Sequence, residues 1–302
     1  MRNLKLRSFA LLLTVFALVA AACSDEPEPS GGGSGATGTS SESPAGEQDL
    51  LARIQADGVI RVATDQKYKP QSWYDTKSGE WKGFDVEVAQ EVAERLGVTA
   101  EIEHQEWDLV TAGSWNDRWD MNVGSMTVTN ERSSIFNFSP AYYFTPASNA
   151  VNSKNTSIQD LTTDLDGKKI CVGSSTTYES FLEQQLNIPG YTFDYVIDDP
   201  QIITYATDTD ALDNLALGDG VRCDAAMTAT PTIDQFIADG GAIKGVGDPL
   251  YGEPLAIAFD KASPIDNASL VAAVSAIIDE MHADGTLTEL SMKWYGEDIT
   301  QV

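Results

Sequence analysis

Histidine, cysteine and basic side chains are all scarce in this 302-residue chain. There are two His and three Cys, and 19 Lys and Arg stand against 46 Asp and Glu, for a formal net charge of −27. A surface of that sign repels phosphate, which excludes unaided binding to nucleic acid or to an anionic membrane. His104 falls at a strand end and His282 within an amphipathic helix pattern; neither reads as a metal ligand, and no His-based catalytic dyad is visible. After the first 22 residues no run of about 20 apolar residues occurs, so no later segment reads as a spanning helix. What is present is a hydrophobic content of 42%, enough for an ordered core, in a chain long enough for one large or two medium domains. The acidic excess reads as a solvated surface rather than as a site for a basic partner.

Residues 1–22 carry Arg2, Lys5 and Arg7, no acid, and an apolar run from residue 9 onward. These are the charged and apolar regions of a signal peptide, too short to span a membrane. The run ends in Ala20-Ala21-Ala22-Cys23, which resembles the bacterial lipobox, although Ala20 stands where a larger aliphatic is usual. Cys23 is therefore expected to carry lipid, and residues 23–48, rich in Gly, Ser, Thr and Pro, to form a disordered tether. An ordinary signal cleaved after Ala22 is the alternative. Cys171 and Cys223 remain. In an oxidising compartment they are expected to form a disulfide, two separately buried thiols being the other possibility.

Periodicity gives an α/β chain. Residues 59–64 read as a strand, 83–97 as a helix with Phe84, Val88, Val92 and Leu96 on one face and Gly97 ending it, and 99–104 and 120–127 as strands. The alternation recurs with strands at 168–173, 191–196 and 223–228 and helices at 178–186, 209–217 and 232–238, the last opened by Thr230 as N-cap and Pro231. A strand at 255–259, a helix around Leu270 to Met281 and a capping box at Thr286–Glu289 complete the pattern. The tail is too small for its own domain and is expected to return to the first lobe.

Ligands of open α/β sheets bind beyond the carboxyl ends of the strands. There the sequence places Gly124-Ser125-Met126-Thr127 and Gly173-Ser174-Ser175-Thr176-Thr177. Thr176 and Thr177 also open a helix, whose free N–H groups favour an anion, and Arg132 supplies a planar two-donor fork for a carboxylate.

These segments, with residues 59–67, 83–97 and 283–296, resemble the family 3 solute-binding proteins of ABC transporters, the polar amino-acid receptors, over residues 50–295. The resemblance implies a two-lobed periplasmic-binding protein type II fold with two chain crossings. Lobe one would comprise 49–148 and 254–302, lobe two 149–253, with hinges near 147–149 and 251–254. It further implies Tyr68 and Trp107 as the aromatic sandwich around the ligand. Gly124, Ser125 and Thr127 would be the polar contacts of lobe one, Arg132 the carboxylate ligand, and Thr176 and Thr177 the anchors of lobe two. One match fails: where the family has an Asp for the ligand's α-ammonium, this chain has Ala229. Burying an ammonium without a countercharge is costly, and Asp65 and Glu179 are the nearest acids by motif position. In the Trp-rich stretch 107–120, Trp115 could line the pocket and Arg118 read a second acidic group, or Trp119 could be core and Arg118 solvated.

The function so implied is an extracytoplasmic lipoprotein, monomeric and held to the membrane by its anchor alone. It would capture an amino acid or related carboxylate and deliver it to ABC permease subunits, with no cofactor, metal or catalysis. The alternatives are a cleft enzyme of the cyclohexadienyl dehydratase type, with Glu179 as its acid, and a phosphate or sulfate receptor, against which the aromatic walls argue.

Overall fold

The computed structural model describes residues 49–301; the segments expected to be a signal peptide and a tether, with Cys23, lie outside them. In chain order the elements are α1 (Leu50–Asp57), β1 (Val59–Thr64), β2 (Lys67–Tyr68), β3 (Ser72–Asp75), β4 (Glu80–Lys82), α2 (Phe84–Leu96) and β5 (Thr99–His104). Then come α3 (Trp107–Thr111), β6 (Met121–Thr127), α4 (Asn130–Ile135), β7 (Phe136–Asn152), β8 (Lys169–Gly173), α5 (Thr177–Leu182) and β9 (Gln201–Tyr205). The chain continues through α6 (Asp208–Ala216), β10 (Ala225–Ala229), α7 (Thr230–Ala238), β11 (Ile243–Asp260), α8 (Ala268–Ala283) and α9 (Thr286–Tyr295).

Eight strands form one mixed sheet in the order β5-β1-β6-β11-β7-β10-β8-β9. Strand β1 runs parallel to β5 and β6, and β8 runs parallel to β9 and β10. Between these two parallel sets lie β7 and β11, of 17 and 18 residues, antiparallel to each other. The early part of β7, through Tyr142 and Tyr143, packs into a core with α2, α8 and β1; its later part, through Ala147 and Val151, packs into a second core with Phe181, Leu182 and Met227. Strands β2, β3 and β4 make a separate antiparallel sheet.

Helix α2 shows why the sequence pattern is readable: Phe84, Val88 and Val92 are fully buried, Asp85 and Glu87 sit in the first turn, and Gly97 closes the helix at φ 76°. Cys171 and Cys223 form a disulfide, with Cα atoms 5.9 Å apart, inside a small core with Ala211, Leu212 and Ala226.

Several expectations shift. Residues 191–196 form no strand. The alternation of Tyr191, Phe193 and Tyr195 serves instead to pack aromatic rings against one another and against Phe181 and Tyr251. The ladder beside β8 is made by the plainer β9. The 255–259 strand is the end of the much longer β11. Ala229, not Thr230, is the N-cap of α7, because the Thr230 hydroxyl donates to the Pro146 carbonyl. No capping box forms at α9: Gly285 is its N-cap, and the Thr286 hydroxyl donates to Asp284. Among the described residues no helix is long and apolar enough to cross a membrane.

Candidate functional site

A cavity opens at the carboxyl ends of the parallel strands. Asp65 follows β1; Gly124, Ser125 and Thr127 belong to the end of β6; Gly173 ends β8; Ala206, Thr207 and Asp208 follow β9. Tyr68, Trp107, Arg132, Thr176, Thr177 and Tyr178 complete the wall. All eight residues named by the resemblance as ligand contacts thus line one cavity.

Arg132 lies in α4, whose N-cap Thr129 accepts from the Arg132 N–H at 3.1 Å. The side chain is 8% exposed. Its guanidinium stacks 5.3 Å from the Trp107 ring and donates to two backbone carbonyls, Thr127 at 3.2 Å and Ser175 at 2.9 Å. It forms no ion pair closer than 4 Å among the described residues, and burial pulls its pKa below the usual arginine value. A buried, preoriented and unpaired guanidinium suits an incoming carboxylate.

Contacts across the cleft hold the two halves together. Trp107 Nε1 donates to the Ser175 carbonyl at 3.1 Å, Ser174 Oγ to Asp108 at 2.9 Å, and Lys67 and Lys69 pair with Asp210 and Asp239. Glu253, on β11 and 1% exposed, accepts from the hydroxyls of Thr127 at 2.9 Å and of Thr177. One carboxylate thereby engages the hydroxyls that both lobes present.

Ser125 is set rigidly. Its backbone is left-handed at φ 57°, an unusual conformation for a residue with a side chain. Its hydroxyl donates to Asp85 at 2.6 Å and lies 2.5 Å from the Tyr143 hydroxyl, while Tyr142 donates to the other Asp85 oxygen at 2.7 Å. Burial pushes the Asp85 carboxyl up to about 6, against the lowering effect of those hydroxyls.

Acids outnumber cations around the cavity. Burial raises the pKa of Asp65 and of Glu253, and takes Asp208 up to about 7. Asp208 escapes the sequence reading because the alternation at 191–196 takes the place of the true strand, which ends at Tyr205, just before Asp208. Glu253 lies in the middle of the long strand β11 rather than at a strand end, so the strand-end rule does not reach it. A buried acid there, between Thr127 and Thr177, has no sequence signature.

Three residues considered as secondary contacts lie away from the cavity. Trp115 is 1% exposed and packs against Trp119 and Phe136, with its indole N–H on the Val110 carbonyl. Arg118 lies over the Trp119 ring and donates to the Trp115 carbonyl. Glu179 reaches back to the Ser175 N–H at 2.7 Å, satisfying a free donor near the start of α5. Asp65 does line the cavity, its carboxylate accepting from the Lys67 N–H.

The sequence profile of bacterial extracellular solute-binding proteins, family 3, matches residues 60–297. The L-cystine-binding protein TcyJ of Escherichia coli is 31% identical over 256 residues, covering 84% of this chain and 89% of its own. Among solved structures, the P235GK mutant of ArgBP from T. maritima superposes with a TM-score of 0.70 at 24% identity, over 82% of this chain and 99% of its own. The ancestral amino acid-binding protein AncCDT-1, a precursor of cyclohexadienyl dehydratase, gives a TM-score of 0.69 at 27% identity, over 81% of this chain and 99% of its own. The two-lobed α/β fold is that of these periplasmic-type binding proteins, and the chain belongs to the bacterial extracellular solute-binding proteins of family 3.

Proposed function

We propose that the protein captures an L-amino acid or closely related small carboxylate in this cavity and passes it to the permease subunits of an ABC importer, with no catalysis of its own. The observation that carries the reading is Arg132, buried, stacked on Trp107 and unpaired, beside the hydroxyls of Thr127 and Thr177. The carboxylate would sit there and the rest of the ligand between Tyr68 and Trp107. In this reading Cys23 carries the lipid anchor on the extracytoplasmic side and the protein acts as a monomer. The lobes are 49–148 with 254–302, and 149–253, and they close about 147–149 and 251–254, where β7 and β11 pass between the two cores. A catalytic reading draws less support, because Glu179, the acid nominated for it, is engaged in capping outside the cavity.

The test is a thermal-shift screen of the full chain against the twenty amino acids, L-cystine, their amino-free counterparts, phosphate and sulfate. A ligand at a hundred times its Kd stabilises by about 2.7 kcal/mol. A shift with one amino acid or a small set is expected; shifts with phosphate or sulfate alone, or with nothing, would overturn the reading.

A further inference from the structure

The family resemblance places an acid for the ligand's α-ammonium at position 229, and the structure leaves no substitute there. Ala229 ends β10, is fully buried and faces Ala147 of β7 in register. Across the same cavity, at the first position of α6, stands a carboxylate with the opposite problem. Asp208 is 8% exposed and lines the cavity that holds Arg132. The one hydrogen bond that supports its charge comes from a neutral donor, the Gly173 N–H at 3.1 Å, and it pairs with no Lys, Arg or His among the described residues. Room for it depends on Gly173: a Cβ there would lie 2.7 Å from Asp208 Oδ1.

Resting on the amino-acid reading, we propose that Asp208 is the countercharge for the ligand's α-ammonium group, replacing the acid absent at position 229. The ammonium would then point to the β9–α6 side of the cavity and the carboxylate to Arg132. The groups facing Asp208 are Asp65, Glu253 and the phenols of Tyr68, Tyr178 and Tyr251. Burial raises its carboxyl to about 7 without ligand, the two acids add to that, and the phenols carry no charge near neutral pH. An arriving ammonium ionises it. Binding at pH 7 therefore expels roughly half a proton per ligand, more near pH 6 and roughly a tenth by pH 8, and affinity falls as the pH drops below 7.

The test is titration calorimetry on the full chain in buffers of different ionisation heat. The probe is whichever of the twenty L-amino acids and L-cystine binds the wild-type protein most tightly, paired with the same molecule lacking its α-amino group. Asp208→Asn should weaken the amino acid by roughly 30-fold or more, leave the amino-free analogue unweakened and abolish proton release. In the Asp208→Asn background, Ala229→Asp should restore part of the affinity. If that second change prevents folding, the single variant's contrast between the paired probes still decides. Amino-acid affinity within threefold of wild type, with proton release unchanged, would overturn the assignment while leaving the proposed function intact. A wild-type protein that binds no amino acid would overturn the function and the assignment together.

Discussion

Two buried aspartates, Asp120 and Asp208, stand at opposite ends of the parallel strands and live in opposite surroundings. Asp120 precedes β6 at its amino end and is 4% exposed. It accepts from Arg53 Nη2 and Arg61 Nη2 at 2.6 Å each, from Arg61 Nε at 3.2 Å and from the Arg61 N–H at 2.8 Å. Asp117 joins the same two arginines, so the cluster is electrically closed. Asp208, nearly as buried, meets neutral donors and other acids. At the amino end of β6 the charge is neutralised by the chain itself; beyond the carboxyl end of β9 it awaits a charge from outside. A buried ion pair broken on one side is strongly destabilising, whereas a buried charge that never had a partner is a standing cost to the fold. The contrast separates residues that hold the molecule together from residues that hold something else.

Four substitutions probe that contrast. Arg132→Ala, which removes the one cation lining the cavity among the described residues, should weaken binding of any carboxylate ligand about 1000-fold, some 4 kcal/mol, by calorimetry. Asp120→Asn leaves two half-buried arginines short of a charge and should destabilise the fold by about 3 kcal/mol in denaturant titration. Asp208→Asn should do the reverse. Its carboxyl is raised in the folded state, so its contribution to stability is present below about pH 4 and is lost as the pH rises through 7. The variant without ligand should therefore be more stable than wild type by about 3 kcal/mol at pH 8 and no different at pH 4. Destabilisation at pH 8 would erase the distinction between the two aspartates. Asp85→Asn is the intermediate case, because hydroxyls of Ser125 and Tyr142 partly compensate its charge. It should gain about 1 kcal/mol at pH 8, with the gain vanishing below about pH 4.

The sequence showed its architecture where one physical requirement acts alone. Helix α2 and strands β1, β5 and β6 carry uninterrupted periodicity because each buries one face, or both, against a single core. The rule that ligands meet strand ends then pointed to Ser125, Thr127, Arg132 and Thr177 without any contact being known. It failed wherever a pattern served another purpose. The rings at 191–195 alternate in order to stack, and so concealed β9 and with it Asp208. Trp115 is indistinguishable in sequence from a pocket aromatic, since the same large ring suits a core or a ligand; only its packing against Phe136 and Trp119 decides. That Ala229 stands where the family resemblance implies an acid is legible in the sequence. The residue that could replace it required knowing which strand ends adjoin in space.

Strands β7 and β11 belong to both cores at once, and their ladder runs from Ile243 and Asn152 at one end to Asp260 and Phe136 at the other. Melting either half would strip partners from the same two strands that the other half needs. The molecule is therefore bipartite in shape but single in its thermodynamics: heat should remove both halves in one transition, with equal calorimetric and van't Hoff enthalpies, and no lobe should survive alone.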